Sequence, residues 1–223
     1  MEIKVCGMTN MDQLQQLQEM DVKFAGFIFY PPSPRHILKF GITGQDVKKA
    51  KFKFAKVGVF VDATYDEIMK QIDAFGLDMV QLHGHETPYQ CSKISNYIDV
   101  IKAFRFAEND HVRWMIKDYY EATNMFLFDT GTYPRKETPD ASNIIKSIER
   151  TFNWKKLMGL DIGRSFFLSG GIEPTDVPKL KEFMKDPVSK DLFVIDINSR
   201  FELAPGFKDM DKVKAFVSEI KSW

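Results

Sequence analysis

The feature of this sequence that most limits its fold is a regular alternation of short apolar runs with amphipathic stretches. Eight apolar runs recur along the 223 residues. They lie at residues 3–6, 24–30, 55–61, 77–82, 99–104, 124–131, 166–171 and 191–199. Continuous apolar strands separated by helices predict a parallel sheet that is covered by helices on both sides.

The stretches between the strands carry helix signals. In "TYDE", Thr64 and Glu67 have the spacing of a capping box, and the helix that follows would direct Ile68, Ile72 and Phe75 inward. Eight strand–helix units in a chain of this length predict an α/β protein, a single (β/α)8 barrel with eight parallel strands. We expect one catalytic domain over residues 1–223; a doubly wound open sheet is the alternative. Helices are predicted after residue 10, near 45–51, 64–75, 86–95, 109–120 and 140–151, from residue 174, and over 209–221.

Composition excludes several classes of protein. With 31 basic and 31 acidic residues the formal net charge is zero, so we expect no nucleic-acid or membrane partner. Two cysteines make no disulfide framework, which favours a reducing, cytoplasmic location. No apolar run approaches the ~20 residues of a membrane span, and the N-terminal residues lack a signal-peptide pattern. The basic run at 48–56 is interpreted as a solvated helix end.

In a barrel of this kind the active site lies at the carboxyl ends of the strands. That rule brings candidates from distant parts of the chain to one mouth. The candidates are Cys6 and Gly7, residues 30–35, Asp62, residues 81–84, Arg105, Asp129, residues 169–172 and residues 196–200.

Two of these loops are candidate phosphate sites. The segment "SGGI", with Gly170, Gly171 and Ile172, leads into a helix near Pro174, where glycines and helix N–H groups can approach an anion. The segment "DINSR", with Asn198 to Arg200, follows the last strand. Barrels often hold phosphate after strands seven and eight, although two tight turns without a ligand would give the same pattern.

Two residues could supply acid–base chemistry. Cys6 is either a small buried hydrophobe or, at a strand end facing a pocket, a thiol activated by N–H groups or positive charge. Asp129 ends the strand "MFLFD" and is either a loop cap or a proton donor whose pKa a partly apolar pocket would raise. Cys91, within a predicted helix, is interpreted as structural.

Three further side chains have weaker signals. Arg35 follows a stiff proline-rich loop, so it is either a surface residue or a bidentate ligand for a carboxylate. The segment "HGHE" resembles a metal motif, but no third His or Cys completes it. We therefore predict no metal, His83 lining the pocket and His85 in solvent.

Taken together, the segments "KVCGMT", "GFIFYPPSPRHI", "KVGVFV", "VQLHGHE", "IKAF", "FLFD", "FLSGGIEPTDV" and "VIDINSRFELAPGFKD" resemble the phosphoribosylanthranilate isomerase family. They occur in the family's order and cover nearly the whole chain. The resemblance implies an isomerase of tryptophan biosynthesis that needs no cofactor. The implied reaction is the Amadori rearrangement of N-(5-phosphoribosyl)anthranilate to 1-(2-carboxyphenylamino)-1-deoxyribulose 5-phosphate.

The resemblance also implies residue roles. Cys6 would be the general base and Asp129 the general acid, and Arg35 would bind the anthranilate carboxylate. Gln81 and His83 would line the pocket wall. The phosphate would be held by backbone N–H groups of Gly170, Gly171, Ile172, Asn198, Ser199 and Arg200. The partner would be a small phosphorylated substrate, with the chain a monomer or homodimer.

The chain departs from the family pattern at two places. The glycine cluster expected after the sixth strand is absent from residues 130–154, although "FNW" at 152–154 matches the piece that follows it. Arg200 occupies a position that is usually glycine, and would be strained if that position required positive φ.

Two alternatives stay open from the sequence. One is another phosphate-binding barrel enzyme, such as an epimerase or the next, indole-forming enzyme of the pathway, for which Lys4 or Lys102 would be the catalytic lysine. The other is a barrel that binds a ligand but is catalytically impaired.

Overall fold

Eight parallel strands close into a barrel in the computed structural model, which describes residues 1–106, 110–129 and 154–223. Each strand pairs with its sequence neighbours, and β1 pairs with β8 to complete the circle. The strands are β1 Glu2–Val5, β2 Phe24–Ile28, β3 Ala55–Phe60, β4 Met79–Leu82, β5 Asp99–Arg105, β6 Met125–Asp129, β7 Phe166–Ser169 and β8 Leu192–Ile197. The predicted closed barrel is confirmed, and the open sheet is excluded.

Helices follow the strands at the predicted places. Thr64 caps its helix through the predicted capping box with Glu67. The predicted helix at 109–120 is shorter and ends in a 3₁₀ turn, and the helix predicted at 140–151 lies outside the described residues. The described α-helices are α1 Met11–Glu19, α2 Gly44–Ala50, α3 Tyr65–Phe75, α4 Pro88–Ser95, α5 Val112–Ile116, α6 Val177–Phe183 and α7 Met210–Lys221. None of them is long and apolar enough to cross a membrane.

A small hairpin follows β8 and was not predicted. A 3₁₀ turn, Ser199–Phe201, leads into the antiparallel strands β9, Glu202–Ala204, and β10, Phe207–Lys208. Gly206 turns the chain between them at φ +85°. The hairpin places the buried side chains of Glu202 and Lys208 beside the barrel.

The apolar residues form two packed groups on opposite sides of the barrel wall. A large cluster lies between the strands and the helices and includes Ile68 and Phe75 of α3, as predicted, with Ile72 packed against it. A smaller cluster fills the barrel interior toward the amino ends of the strands. Its buried members are Phe24, Val57, Met79, Ile101, Ala103, Leu127, Phe167 and Val194.

Candidate active site

Polar side chains replace apolar ones where the inner faces of the strands approach the barrel mouth. Side chains on one face of a strand recur every two residues, so Gln81, Asp129 and Asp196 stand directly above the apolar interior residues of their strands. On β1 the same alternation puts Lys4 inside the barrel and Cys6 next above it. This alternation therefore puts a polar layer, formed by Lys4, Cys6, Gln81, Asp129 and Asp196, above the apolar residues of the barrel interior.

Cys6 is enclosed by its neighbours at the end of β1. Its residue is 4% exposed, and its backbone N–H donates to the Ile197 carbonyl across to β8 at 2.9 Å. Gly26 of β2 provides the space for the thiol, because a Cβ there would lie 2.8 Å from Sγ. Burial raises the pKa of Cys6, while the positive charges of Lys4 and Lys208 act against that rise.

Lys4 is fully buried inside the barrel. Its Nζ donates to Asp196 Oδ1 and to Gln81 Oε1, both at 2.9 Å. Burial alone would lower the pKa of Lys4, but the charges of Asp196 and Cys6 outweigh it and raise the pKa. Ser169 donates to the second oxygen of Asp196 at 3.1 Å, so this carboxylate ties β1 to β7 and β8.

Asp129 lies in the same layer, with a side chain that is 7% exposed. His83 Nε2 lies 3.1 Å from its Oδ2, and Arg105 Nε lies 3.8 Å from the same oxygen. Gln81 Nε2 lies 2.8 Å from His83 Nδ1. His83 and Gln81 therefore lie on the interior wall, and the side chain of Asp129 faces the interior.

Arg35 reaches the β9–β10 hairpin from the β2 loop. Its Nε donates to both oxygens of Glu202 at 2.9 Å, and Nη2 donates to Oε2 at 2.6 Å. Lys208 Nζ donates to Glu202 Oε1 at 2.7 Å. Burial alone would raise the carboxyl pKa of Glu202, but the hydrogen bonds and charges of Arg35 and Lys208 outweigh this effect and lower the pKa.

Gly7 lies where these groups meet. It has φ +73°, and a Cβ there would lie 2.8 Å from Asn198 Oδ1 and 2.9 Å from Arg35 Cδ. Lys208 Nζ fixes the same Asn198 oxygen at 2.7 Å. Only glycine allows the β1, β2 and β8 loops to approach this closely.

The two predicted phosphate loops follow β7 and β8. Gly170 and Gly171 have φ +96° and +66°, while Ile172 is buried and anchors the turn. A 3₁₀ turn at Pro174–Asp176, closed by a capping box from Glu173, leads into α6. The loop therefore leads directly into a helical segment near Pro174, as predicted.

Arg200 is not strained. It lies in the 3₁₀ turn after Asn198, and its φ is not positive. The side chains of Ser199 and Arg200 are exposed. The substitution of arginine for glycine at this position therefore meets no backbone penalty.

The side chains of the "HGHE" segment have different surroundings. His85 is 96% exposed at its side chain and pairs with Asp62, as expected for a solvent-facing residue. Glu86 turns inward and pairs with Lys102 at 2.9 Å, between the barrel and α4. Among the residues that the structure describes, no three or more His, Cys, Asp or Glu side chains are grouped for a metal ion.

Four charged residues of the site region were not recognised from the sequence as ion-pair partners. Lys4 was considered only as the catalytic lysine of an alternative enzyme and Asp196 only as a residue of the barrel mouth, while Glu202 and Lys208 belong to the unpredicted hairpin. A lysine within an otherwise apolar strand is the one signal that could have pointed to a buried pair. The segment lacking the glycine cluster, residues 130–153, lies outside the described residues.

Comparison with known proteins decides the family. The family model described as N-(5'-phosphoribosyl)anthranilate (PRA) isomerase matches residues 3–219. The chain belongs to this family. An N-(5'-phosphoribosyl)anthranilate isomerase of Parabacteroides distasonis is 34% identical over 221 residues, 99% of this chain and 93% of that protein. The enzyme of Phocaeicola vulgatus is 32% identical, with 99% and 98% covered.

Solved structures agree. The phosphoribosylanthranilate isomerase of Thermotoga maritima superposes with a TM-score of 0.76 at 29% identity, covering 100% of this chain and 99% of that one. An isomerase in complex with reduced 1-(o-carboxyphenylamino)-1-deoxyribulose 5-phosphate gives 0.70, again at 29% identity and with 100% and 99% covered. The predicted family is therefore confirmed. The family, the named relatives and the solved complex support phosphoribosylanthranilate isomerisation in tryptophan biosynthesis as the function of this chain.

Proposed function

We propose that Cys6 and Asp129 are the general base and general acid of this isomerase, and that residues 1–223 form its one catalytic domain. The observation that supports the pair is their convergence on the polar layer of the barrel interior, at the carboxyl ends of β1 and β6. Both side chains are nearly buried, so a substrate between them would be shielded from bulk water.

The reaction begins at the ring oxygen of the phosphoribosyl group. Asp129 donates a proton to this oxygen as the C1–O bond breaks, and the anilinic nitrogen forms the C1=N bond of a protonated Schiff base. Cys6 then removes the proton from C2, which gives an enolamine. The enolamine becomes the ketone by gaining a proton at C1 and losing one from the C2 hydroxyl. One proton has moved from Asp129 to Cys6, and returning it completes the cycle.

Substrate recognition would use the two sides of the mouth. Arg35, held by Glu202, would meet the anthranilate carboxylate, since guanidinium groups bind carboxylates in planar hydrogen-bonded pairs. Gln81 and His83 would form the wall. Backbone N–H groups of Gly170, Gly171 and Ile172, and of Asn198, Ser199 and Arg200, would hold the phosphate. The complex of a relative with reduced 1-(o-carboxyphenylamino)-1-deoxyribulose 5-phosphate supports a phosphorylated ligand of this class.

The test is turnover of freshly generated phosphoribosylanthranilate, followed by loss of its fluorescence. We expect C6A and D129N to lose about 10²–10⁴-fold in kcat, the usual contribution of a positioned acid or base. The C91A variant is the matched control, because Cys91 is also a fully buried cysteine but lies in α4, outside the barrel. A C6A or D129N enzyme with more than a tenth of the wild-type kcat would refute the assignment of that residue.

A further inference from the structure

A chain of hydrogen-bonding groups crosses the barrel interior from β1 to β6. Lys4 Nζ donates to Gln81 Oε1 at 2.9 Å, Gln81 Nε2 lies 2.8 Å from His83 Nδ1, and His83 Nε2 lies 3.1 Å from Asp129 Oδ2. Lys4 also lies two residues before Cys6 on the inner face of β1, where its positive charge acts on the thiol. The chain thus joins the proposed base to the proposed acid.

The direction of every bond in the chain follows from its first member. An ammonium only donates, so the Gln81 atom facing Lys4 is the amide oxygen. Gln81 then presents its NH₂ group to His83, and Nδ1 must accept. An imidazole that accepts through Nδ1 carries its hydrogen on Nε2, and this N–H donates to Asp129 Oδ2.

This direction has a consequence for Asp129. A carboxylic acid accepts hydrogen bonds best through its carbonyl oxygen, so donation from His83 makes Oδ2 that oxygen. The acidic hydrogen is then directed to Oδ1. Reversal of the Gln81 amide would offer His83 an acceptor instead of a donor and would favour the other imidazole tautomer.

The same ammonium faces the Cys6 thiol. Lys4 and Cys6 are two residues apart on β1, and their side chains share the inner face. The charged groups around the thiol are Lys4 from β1, Asp196 from β8 and Lys208 from β10. Lys4 and Lys208 are both paired with carboxylates, but Lys4 is the one that shares the inner face of β1 with the thiol.

We infer that Lys4 is a positioning residue for the isomerisation, which supports the thiolate of Cys6 directly and orients the Asp129 carboxyl through Gln81 and His83. This inference rests on the proposed function, which assigns Cys6 as base and Asp129 as acid. Lys4 does not touch the reacting atoms. A single residue of β1 would thus influence both the proposed base and the proposed acid.

A purely structural role for the Lys4–Asp196 pair predicts a different outcome. Loss of such a pair would lower stability and leave the chemistry of the thiol unchanged. Lys102 provides the matched control, because it is also a buried lysine, 3% exposed and paired with Glu86 at 2.9 Å. It lies on the outer side of the barrel wall, where its partners are Glu86 and the carbonyl oxygens of Leu82 and Gly84.

The experiment compares K4M with K102M in the full-length enzyme. Alkylation of Cys6 by iodoacetamide is followed against pH by mass spectrometry of its peptide. For K4M we expect the midpoint to rise by about one pH unit or more, the effect of removing a positive charge that neighbours the thiol on the same strand face. The pH at which kcat falls on the acid side should rise in the same way, while KM should change little. K102M should keep the wild-type alkylation midpoint.

The wild-type enzyme supplies a test that needs no variant. Nitrogen NMR of the wild-type enzyme with labelled His83 should show the Nε2–H tautomer at pH 7.

The Q81L variant provides a second test. It should lower kcat without moving the alkylation midpoint of Cys6. A folded K4M with a wild-type midpoint would overturn the inference, and so would an Nδ1–H tautomer in the wild type. If K4M does not fold, the tautomer and Q81L decide. Full activity in C6A would refute the proposed function itself. If C6A is inactive but the pH midpoint of Cys6 alkylation in K4M equals that of the wild type, only the role of Lys4 is refuted.

Discussion

Gly26 offers a sharp test of how closely the site is packed around the thiol. It lies on β2 beside the end of β1, and an alanine Cβ there would lie 2.8 Å from Cys6 Sγ, 3.0 Å from its Cα and 3.2 Å from its Cβ. Carbon and sulfur pack no closer than about 3.5 Å without repulsion. The G26A substitution must therefore displace the Cys6 side chain or separate the two strands by roughly 0.5–1 Å.

The expected cost has two parts. Overpacking a tight interior contact costs about 1–3 kcal/mol, which for a chain of this size lowers Tm by about 2–4 °C per kcal/mol. For Cys6 as the proposed base, a displacement of about 1 Å from its reacting geometry should cost on the order of 10²-fold in rate. Thermal unfolding and the fluorescence assay on one preparation measure both effects, and kcat should fall far more than the stability loss explains.

Gly58 on β3 separates the two parts. An alanine Cβ at Gly58 would lie 2.4 Å from Leu77 Cδ1 and 2.8 Å from Phe60 Cε2, which belong to the apolar cluster outside the barrel wall. G58A should lower Tm at least as much as G26A and keep the wild-type kcat. The reasoning is refuted if G26A retains kcat, or if G58A loses kcat to the same extent.

Two further predictions concern titration. The Glu202 pKa is lowered, so its contribution to stability is present above the unfolded value of about 4.5 and is lost as pH falls through the folded pKa. The urea concentration at the midpoint of unfolding should fall for the wild type as pH is lowered through that range, and it should fall less for E202Q. Parallel plots of this midpoint against pH for the two proteins would contradict the prediction. Burial raises the pKa of Cys91 to about 12, so iodoacetamide should not alkylate Cys91 in the native protein at pH 8. Alkylation of Cys91 within the time that labels Cys6 would contradict this prediction, because it would show that α4 is accessible to the reagent.

The barrel could be predicted because its signals are local. Apolar runs of strand length, the Thr64 capping box and the alternation of side chains each depend on a few adjacent residues. The rule that parallel strands end at one face then brought Cys6 and Asp129 to the same mouth. Position alone was enough to nominate these residues, although it gave no partner for either.

The ion pairs could not be predicted because their partners are distant in sequence. Arg35 and Glu202 are 167 residues apart, and Lys4 and Asp196 are 192 apart. The hairpin that presents Glu202 contains strands of three and two residues, too short for any periodic pattern. The packing at Gly7 and Gly26 is also nonlocal, because each glycine makes room for a side chain from another strand or loop.

The three fully or nearly fully buried lysines of the described residues bear on why the site has this composition. Lys4, Lys102 and Lys208 are each paired with a buried carboxylate. Burying such a pair costs desolvation that its attraction often fails to offset, so well-packed apolar residues would serve stability as well or better. Lys102 and Lys208 position loop and hairpin backbone through carbonyl groups. Lys4 instead contacts side chains of the polar layer, so its presence in an apolar strand fits the proposed positioning role better than a role in folding.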